Sequence, residues 1–337
     1  MMGRLRINLG GGLALLDIGS YARPGPSGRE RFSPGQIELI SRTVNRTPEV
    51  MVKMLNRGGR NLAAVRRHVD YLDREGALPI ETDDGQRLQG KGASRVLLDD
   101  WDLDLEEERP AADLKPRQTR DPPKLVHKVL FSMPAGTPPK KVLAAAKNFA
   151  REEFGAKYRY AMVLHTDEPH PHVHMVVKAM GDDGKRLNIR RDTLRHWRTE
   201  FARHLRGQGV AANATERAGR GVTTPRKLDG IHRAAMRGAS THYRQRAQMV
   251  AREIATGRIK AESGRERLFE TRRRVIQGWG QVAEELTAQG QRELALAVGG
   301  FVARMPAVQT EKEWIRDRLL EQSKVRHREE RARSNGR

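Results

Sequence analysis

The stretch "YRYAMVLHTDEPHPHVHMVVKAM", residues 158 to 180, constrains the fold more than any other part of the chain. Valine and aromatic residues crowd both halves, and a proline-bearing "DEPHP" turn separates them, so the halves read as adjacent antiparallel strands. Four of the eleven histidines, His165, His170, His172 and His174, fall inside this hairpin. Side chains alternate across a strand, so His172 and His174 project to one side while Val173 points to the other. His165 ends the preceding strand and can lie opposite that pair. Three neutral imidazoles meeting at one point make a transition-metal site, suited to Zn, Mn, Ni, Co or Fe. Such a set leaves coordination positions open for water or a phosphate oxygen. Asp167 shares their face if the strand persists, and can orient an imidazole or accept a proton. His170 sits in the turn and takes no ligand role. The plainer alternative is a row of surface histidines on a sheet edge. The spacing His-x6-His-x-His, with apolar alternation between the last two, favours the metal. It is not the H-E-x-x-H of helix-borne zinc proteases, so peptide hydrolysis gains no support.

The flanking segments extend the pattern. "KLVHKVLFSMPAG" alternates as a strand and ends in a turn, and "PPKKVLAAAKNFAREEFG" is a helix that opens on proline and closes on glycine. "GDDGKRLNIR" reads as a turn and a short strand, and "RDTLRHWRTEFARHLRGQG" as a second helix. Residues 125 to 210 thus run strand, helix, strand, strand, strand, helix, which predicts an α+β fold layered with helices. Upstream, "PEVMVKMLNRGGRNLAAVRRHVDYLDREG" begins the ordered part. A polar, glycine-containing loop (81 to 95), a solvated acidic stretch "LLDDWDLDLEEE" and a proline-bearing linker follow it. Residues 1–49 carry glycine and proline clusters and read as a flexible basic arm. The organisation predicted is arm 1–49, a folded α+β domain 50–228, and a helical, Arg/Glu-rich region 229–337 with a basic tail.

Lysine and arginine number 64 against 42 acids, a formal charge of +22, which points to a polyanionic partner, nucleic acid before anionic membrane. Cysteine is absent, which excludes disulfides, thiolate metal sites and cysteine nucleophiles. No stretch approaches the ~20 apolar residues of a membrane span, and the glycine-broken N-terminus makes a poor signal peptide, so a soluble, intracellular protein is expected.

A metal and a polyanion suggest phosphoryl transfer, and Tyr71 is the candidate nucleophile. At about 100° per residue, Leu62, Val65, Val69 and Leu72 form one apolar stripe, and Tyr71 lies roughly 140° from its centre. Arg60, Arg67 and Arg74 fall within about 60° of it on the same projection. A phenol among three guanidiniums is placed to meet a phosphate, although an exposed tyrosine on an amphipathic helix is also common. "GQRLQGKG" has the spacing of a P-loop, but Gly92 stands where Ser or Thr is required and no apolar strand precedes it.

These motifs resemble those of conjugative relaxases, the HUH endonucleases, and most closely the MOBP branch that includes the T-DNA border endonuclease. "HTDEPHPHVHMVV" is similar to the family's three-histidine motif through His165, Asp167, His172 and His174. "HVDYLDREG" is similar to its nucleophile motif and places the nucleophile at Tyr71. "VLFSMPAGTP" looks like its second motif, which lies near DNA on the 3′ side of the nick, so Ser132 inherits that role. "ERAGRGVT", residues 216 to 223, resembles the segment that closes the catalytic domain. One departure stands out: Lys178 occupies the place where members often carry Asn, and joins Arg60, Arg67, Arg74 and Ser132 as a candidate DNA contact.

The resemblance, which covers about residues 50 to 225, implies a central antiparallel sheet with flanking helices and a mostly helical C-terminal region. It implies site- and strand-specific nicking of single-stranded DNA at a transfer origin, with a divalent ion, Mg²⁺ or Mn²⁺ or another transition metal, on His165, His172 and His174. Tyr71 would form a 5′-phosphotyrosyl link, Asp167 would orient a histidine or take the tyrosine proton, and Arg67 and Arg74 would hold phosphates. Relaxosome accessory proteins and a type IV coupling protein are the implied partners, and the bacterial cytoplasm, with export on the DNA to a recipient, the implied location. An HUH rolling-circle replication initiator and a non-catalytic DNA-binding relaxosome protein are the alternatives.

Overall fold

The computed structural model describes residues 23–24, 30–55, 59–108, 123–222, 241–257, 262 and 264–335. The chain divides into two compact units, Arg46–Ala214 and the combination of Met1–Asn45 with Thr215–Arg337.

The segment expected to be a loose arm carries structure in its second half. Strands β1 (Arg23–Pro24) and β2 (Glu30–Arg31) pair antiparallel, and helix α1 (Pro34–Val44) follows. Ser33 caps α1: its hydroxyl accepts from the Gln36 N–H, and the Gln36 side chain accepts from the Ser33 N–H at 2.7 Å. With Pro34 at the first turn, that capping box starts a helix the surrounding glycines and prolines conceal. The arm's residues 1–22 and 25–29 lie outside the described residues, as does the linker 109–122.

The unit Arg46–Ala214 is built on one six-stranded, wholly antiparallel sheet of order β3-β6-β8-β7-β4-β5. Its strands are β3 (Met51–Met54), β4 (Ile80–Thr82), β5 (Arg87–Leu88), β6 (Val126–Ser132), β7 (Tyr160–His165) and β8 (His172–Lys178). β4 and β5 make a small hairpin inside the stretch expected to be a polar loop. Past β8 the expected short strand is reduced to a single bridge between Met180 and Arg186.

One face of the sheet presents Val129, Phe131, Met162, Val173 and Met175 to helices α5 (Pro139–Phe154) and α6 (Arg191–Gly207). Phe131 anchors this layer, its ring 5.0 Å from both Phe149 and Phe201. Each such buried side chain contributes roughly 1.5–3 kcal/mol. The opposite face presents Val126, Ala161, Val163 and Val176 to helices α2 (Leu62–Leu72), α3 (Ala93–Asp100) and α4 (Leu103–Glu108). In α2 the buried residues are Val65, Val69 and Leu72, the stripe its sequence spacing predicts, and Asn61 caps its start by accepting from the Ala64 N–H at 2.7 Å. The acidic stretch is not merely solvated: Leu97, Leu98, Trp101 and Leu103 are buried, while Asp99, Asp100, Asp102 and Asp104 are exposed.

Besides α1, the described helices of the other unit are α7 (Thr241–Thr256), α8 (Arg265–Ala288), α9 (Arg292–Ala303) and α10 (Glu311–Asn335). Its apolar core joins Phe32, Ile40 and Val44 of the N-terminal segment to Val275, Trp279, Val282, Leu286, Val298 and Phe301. The segment 216–222 packs here rather than closing the sheet unit. Trp279 Nε1 donates to the Gly219 carbonyl at 2.7 Å, and Arg272 donates to the carbonyls of Gly221 at 2.6 Å and Pro306 at 2.7 Å. The sheet unit accordingly ends at Ala214, not at residue 228, a position that itself lies outside the described residues.

Candidate active site

Strand register brings the three histidines together. β7 and β8 set His165 opposite His172 and Val163 opposite His174, and residues directly opposite share a face. The ring centroids lie 5.1 Å (His165–His172), 4.7 Å (His165–His174) and 5.2 Å (His172–His174) apart. One ring nitrogen from each falls within 4.8 Å of the others. They occupy the face covered by α2, so the helix that carries Tyr71 lies over the strands that carry the histidines.

Hydrogen bonds at the ring edges fix which nitrogens stay free. His165 is buried, and its Nε2 lies 2.7 Å from the Leu72 carbonyl. A carbonyl can only accept, so Nε2 carries the proton and Nδ1 keeps a lone pair. His172 Nδ1 lies 2.9 Å from the His170 carbonyl, so by the same reasoning Nδ1 carries a proton. His170 thus contributes its backbone, not its ring. Burial lowers the pKa of His165, and burial together with the two neighbouring rings pushes His174 down to about 3. Both imidazoles are therefore neutral near pH 7, the state a metal requires. His174 Nδ1 is buried with no hydrogen-bond partner among the described residues. Three imidazoles, each offering one nitrogen within 4.8 Å of the others, and the unpartnered buried Nδ1 of His174 fit a divalent cation.

A single guanidinium ties this cluster to Tyr71. Arg74 Nη2 donates to Asp167 Oδ2 at 2.6 Å and lies 3.5 Å from His165 Nδ1. Its Cζ stands 4.9 Å from the centroid of the Tyr71 ring, and its Nη1 donates to the Tyr71 carbonyl at 3.1 Å. Tyr71 itself is 59% exposed, as its offset from the apolar stripe predicts. The Arg74 hydrogen bond holds Asp167 below the ordinary carboxylate range, and Tyr71 and Asp167 together raise Arg74. Asp167, expected to orient a histidine or take the tyrosine proton, accepts from Arg74, and His165 Nε2 donates to the Leu72 carbonyl.

The remaining predicted residues are spread out. α2 spans only Leu62–Leu72, so Arg60 precedes its cap and Arg74 follows its end, and only Arg67, exposed, stands on the helix. Ser132 sits directly opposite His172 but is 4% exposed, and its hydroxyl donates to the Met133 carbonyl at 3.4 Å. Lys178 lies four residues beyond His174, about 13 Å along β8, and does not join the cluster. Two residues the sequence reading passes over lie on the covered face. His68, one turn before Tyr71, is brought down to about 4 by burial and by Lys128. Lys128, 5% exposed and opposite Val176, is brought down to about 8 by burial and Lys124. The signal was present: Lys128 falls in the alternation of β6 on the histidine face. A second group, Glu152, Glu200 and His204, also has metal-ligand proximity, but Arg203 bridges both carboxylates at 2.6 Å and satisfies them.

Three histidines on paired strands thus lie beneath a tyrosine-bearing helix. Residues 83–209 match the family model for relaxases, MobA/VirD2-like, nuclease domain. Tyr71 precedes the matched span. The T-DNA border endonuclease VirD2 of Agrobacterium fabrum is 26% identical over 188 residues, covering 52% of this chain and 41% of that protein. VirD2 of Rhizobium radiobacter is 25% identical over 190 residues, covering 52% and 43%. The chain thus spans about two-fifths of the length of the curated relatives it matches. Among solved structures, the MobM relaxase domain bound to plasmid oriT DNA, with manganese, is similar at a TM-score of 0.37 and 17% identity, covering 56% of this chain and 98% of that one.

Proposed function

We propose that the chain is a DNA-nicking relaxase that cleaves single-stranded DNA at a transfer origin by tyrosine transesterification. The observation that carries this reading is Arg74, one guanidinium in contact with Tyr71, Asp167 and His165. Tyr71 Oη attacks phosphorus, the P–O3′ bond breaks, and a 5′-phosphotyrosyl link and a free 3′-OH result. The phenolic proton leaves to solvent and the departing 3′-oxygen takes one from it. Asp167 is a poor proton store, because Arg74 holds it ionised, so its work is to fix Arg74 beside the phosphate. Arg74 then offsets charge that develops on the non-bridging oxygens. A divalent ion, Mg²⁺ or Mn²⁺, held by His165, His172 and His174 would supply a Lewis acid for the same phosphate. The bond energy stays in the covalent link, so the same site can reseal the strand.

Arg60 and Arg67 are assigned to flanking phosphates, a role in keeping with the chain's net charge of +22. Ser132 and Lys178 are assigned to the strand beyond the nick only if that strand reaches their separate positions. Relaxosome accessory proteins and a type IV coupling protein are the proposed partners, with the bacterial cytoplasm as the working location and passage to a recipient attached to DNA. Among the described residues no helix is long and apolar enough to cross a membrane.

The test is a denaturing gel with labelled single-stranded DNA carrying the transfer origin, run with Mn²⁺ or EDTA. Wild type is expected to give an SDS-resistant adduct with Mn²⁺ only, and Tyr71→Phe none. DNA that binds but never attaches would replace this reading with the non-catalytic DNA-binding one.

A further inference from the structure

We propose that Arg74 and a divalent cation are alternative partners of one lone pair, that of His165 Nδ1, so that loading the metal frees an Arg74 N–H for the scissile phosphate. The proposal deepens the nuclease reading and rests on it for the phosphate, though not for the competition. His165 Nε2 donates to the Leu72 carbonyl at 2.7 Å, so Nδ1 is the one nitrogen this ring can offer a cation. Its lone pair serves one electrophile at a time, an N–H or a metal. Arg74 Nη2 stands 3.5 Å from it. The contact is long for a hydrogen bond, yet a guanidinium keeps its charge at any ordinary pH. A cation approaching Nδ1 therefore meets a like charge already beside it.

The backbone and two further partners hold Arg74 in that place. Arg74, Glu75 and Gly76 have φ of +55°, +57° and +91°, a left-handed exit from α2 in which only the glycine is at ease. The Glu75 N–H donates to the Asp70 carbonyl at 2.8 Å, and the Gly90 N–H to the Gly76 carbonyl at 3.0 Å. A Cβ at Gly76 would stand 2.3 Å from the Gly90 carbonyl carbon, so the exit is wedged against a neighbouring loop. Had the helix continued, Arg74 would have stayed beside Tyr71 on the exposed surface of α2, three residues along. The exit instead lets Nη2 reach Asp167 at 2.6 Å and His165, while Nη1 donates to the Tyr71 carbonyl at 3.1 Å. Of these three partners a metal contests only His165. Asp167 and the Tyr71 carbonyl keep the guanidinium beside the nucleophile when Nδ1 is taken. Coupling is reciprocal: a phosphate that draws Nη2 away from His165 eases metal binding by the factor with which the metal eases phosphate binding.

Mn²⁺ titrated into the full chain without DNA, with free Mn²⁺ read by its EPR signal, gives a Kd that needs no activity. Arg74→Ala is expected to lower that Kd about fivefold or more. Arg66→Ala, which removes one exposed charge from the same helix, is expected to change it less than twofold. Arg74→Lys keeps the charge but not the planar fork, and is expected to lower the Kd at least twofold. In an Asp167→Asn background the same fall on Arg74→Ala is expected, which separates the lone pair from a carboxylate left without its partner. His174→Ala is expected to abolish binding with or without Arg74. Should Arg74→Ala fail to fold, Arg74→Gln removes the charge from a polar stem and is expected to act in the same direction. An unchanged Kd in Arg74→Ala, a fall that Arg66→Ala matches, one that vanishes with Asp167→Asn, or a wild-type Kd in Arg74→Lys would overturn the proposal. No Mn²⁺ bound by wild type or Arg74→Ala would defeat the metal site itself, and the proposal with it. Mn²⁺ bound as expected, but no covalent attachment of DNA by wild type, would defeat the nuclease reading and leave the competition standing.

Discussion

His68 and His127 are held neutral inside the fold, each brought down to about 4 chiefly by burial. An unfolded chain protonates both near pH 6.5. Between about pH 4 and 6.5 the unfolded state therefore binds more protons, and stability falls as pH falls across that window. Above it these residues contribute no slope. Denaturant midpoints are expected to drop between pH 7 and pH 5, and His127→Leu, away from the histidine cluster, is expected to remove up to one proton's worth of that slope. A midpoint that stays flat over the range would show that neither ring is kept neutral by the fold. The residues differ in how legible they were. Two-residue alternation was enough to gather His165, His172 and His174, and helical projection was enough to expose Tyr71. The position of Arg74 was not legible because it depends on where α2 ends, and "VDYLDREG" reads as continuing helix until the left-handed exit is seen.

Among elements, β6, β7, β8, α5 and α6 follow from their patterns, since each is long enough for a period of two or 3.6 to repeat. The small pieces do not. β3, β4 and β5 hold two to four residues each, too short to show alternation, and form because neighbouring strands supply their hydrogen bonds. α1 hides behind proline and glycine, and its signal is the four-residue box from Ser33 to Gln36 rather than any run of apolar residues. At Arg186 the opposite happens: a segment with strand character makes only one bridge. These elements also decide the chemistry, because the β7–β8 pairing sets the histidines and the termination of α2 sets Arg74.

On the scale of the molecule, a segment near residue 40 shares one hydrophobic core with helices far along the chain: Ile40, fully buried in α1, packs with Trp279, Val282 and Phe301. Truncating a buried isoleucine to alanine costs about 2–5 kcal/mol. Ile40→Ala is accordingly expected to speed hydrogen exchange across α8 and α9 while β6 and β8 keep their protection. Equal loss in both sets, or none in α8 and α9, would contradict the division into units. In the proposed reading the chemistry is confined to the sheet unit, and the covalent link to one side chain, Tyr71. Mass spectrometry of the trypsin-digested covalent product tests that most directly. The account predicts the nucleotide on the peptide "HVDYLDR", residues 68 to 74, attached through Tyr71. A nucleotide on any other residue, or cleaved DNA with no modified peptide, would contradict it.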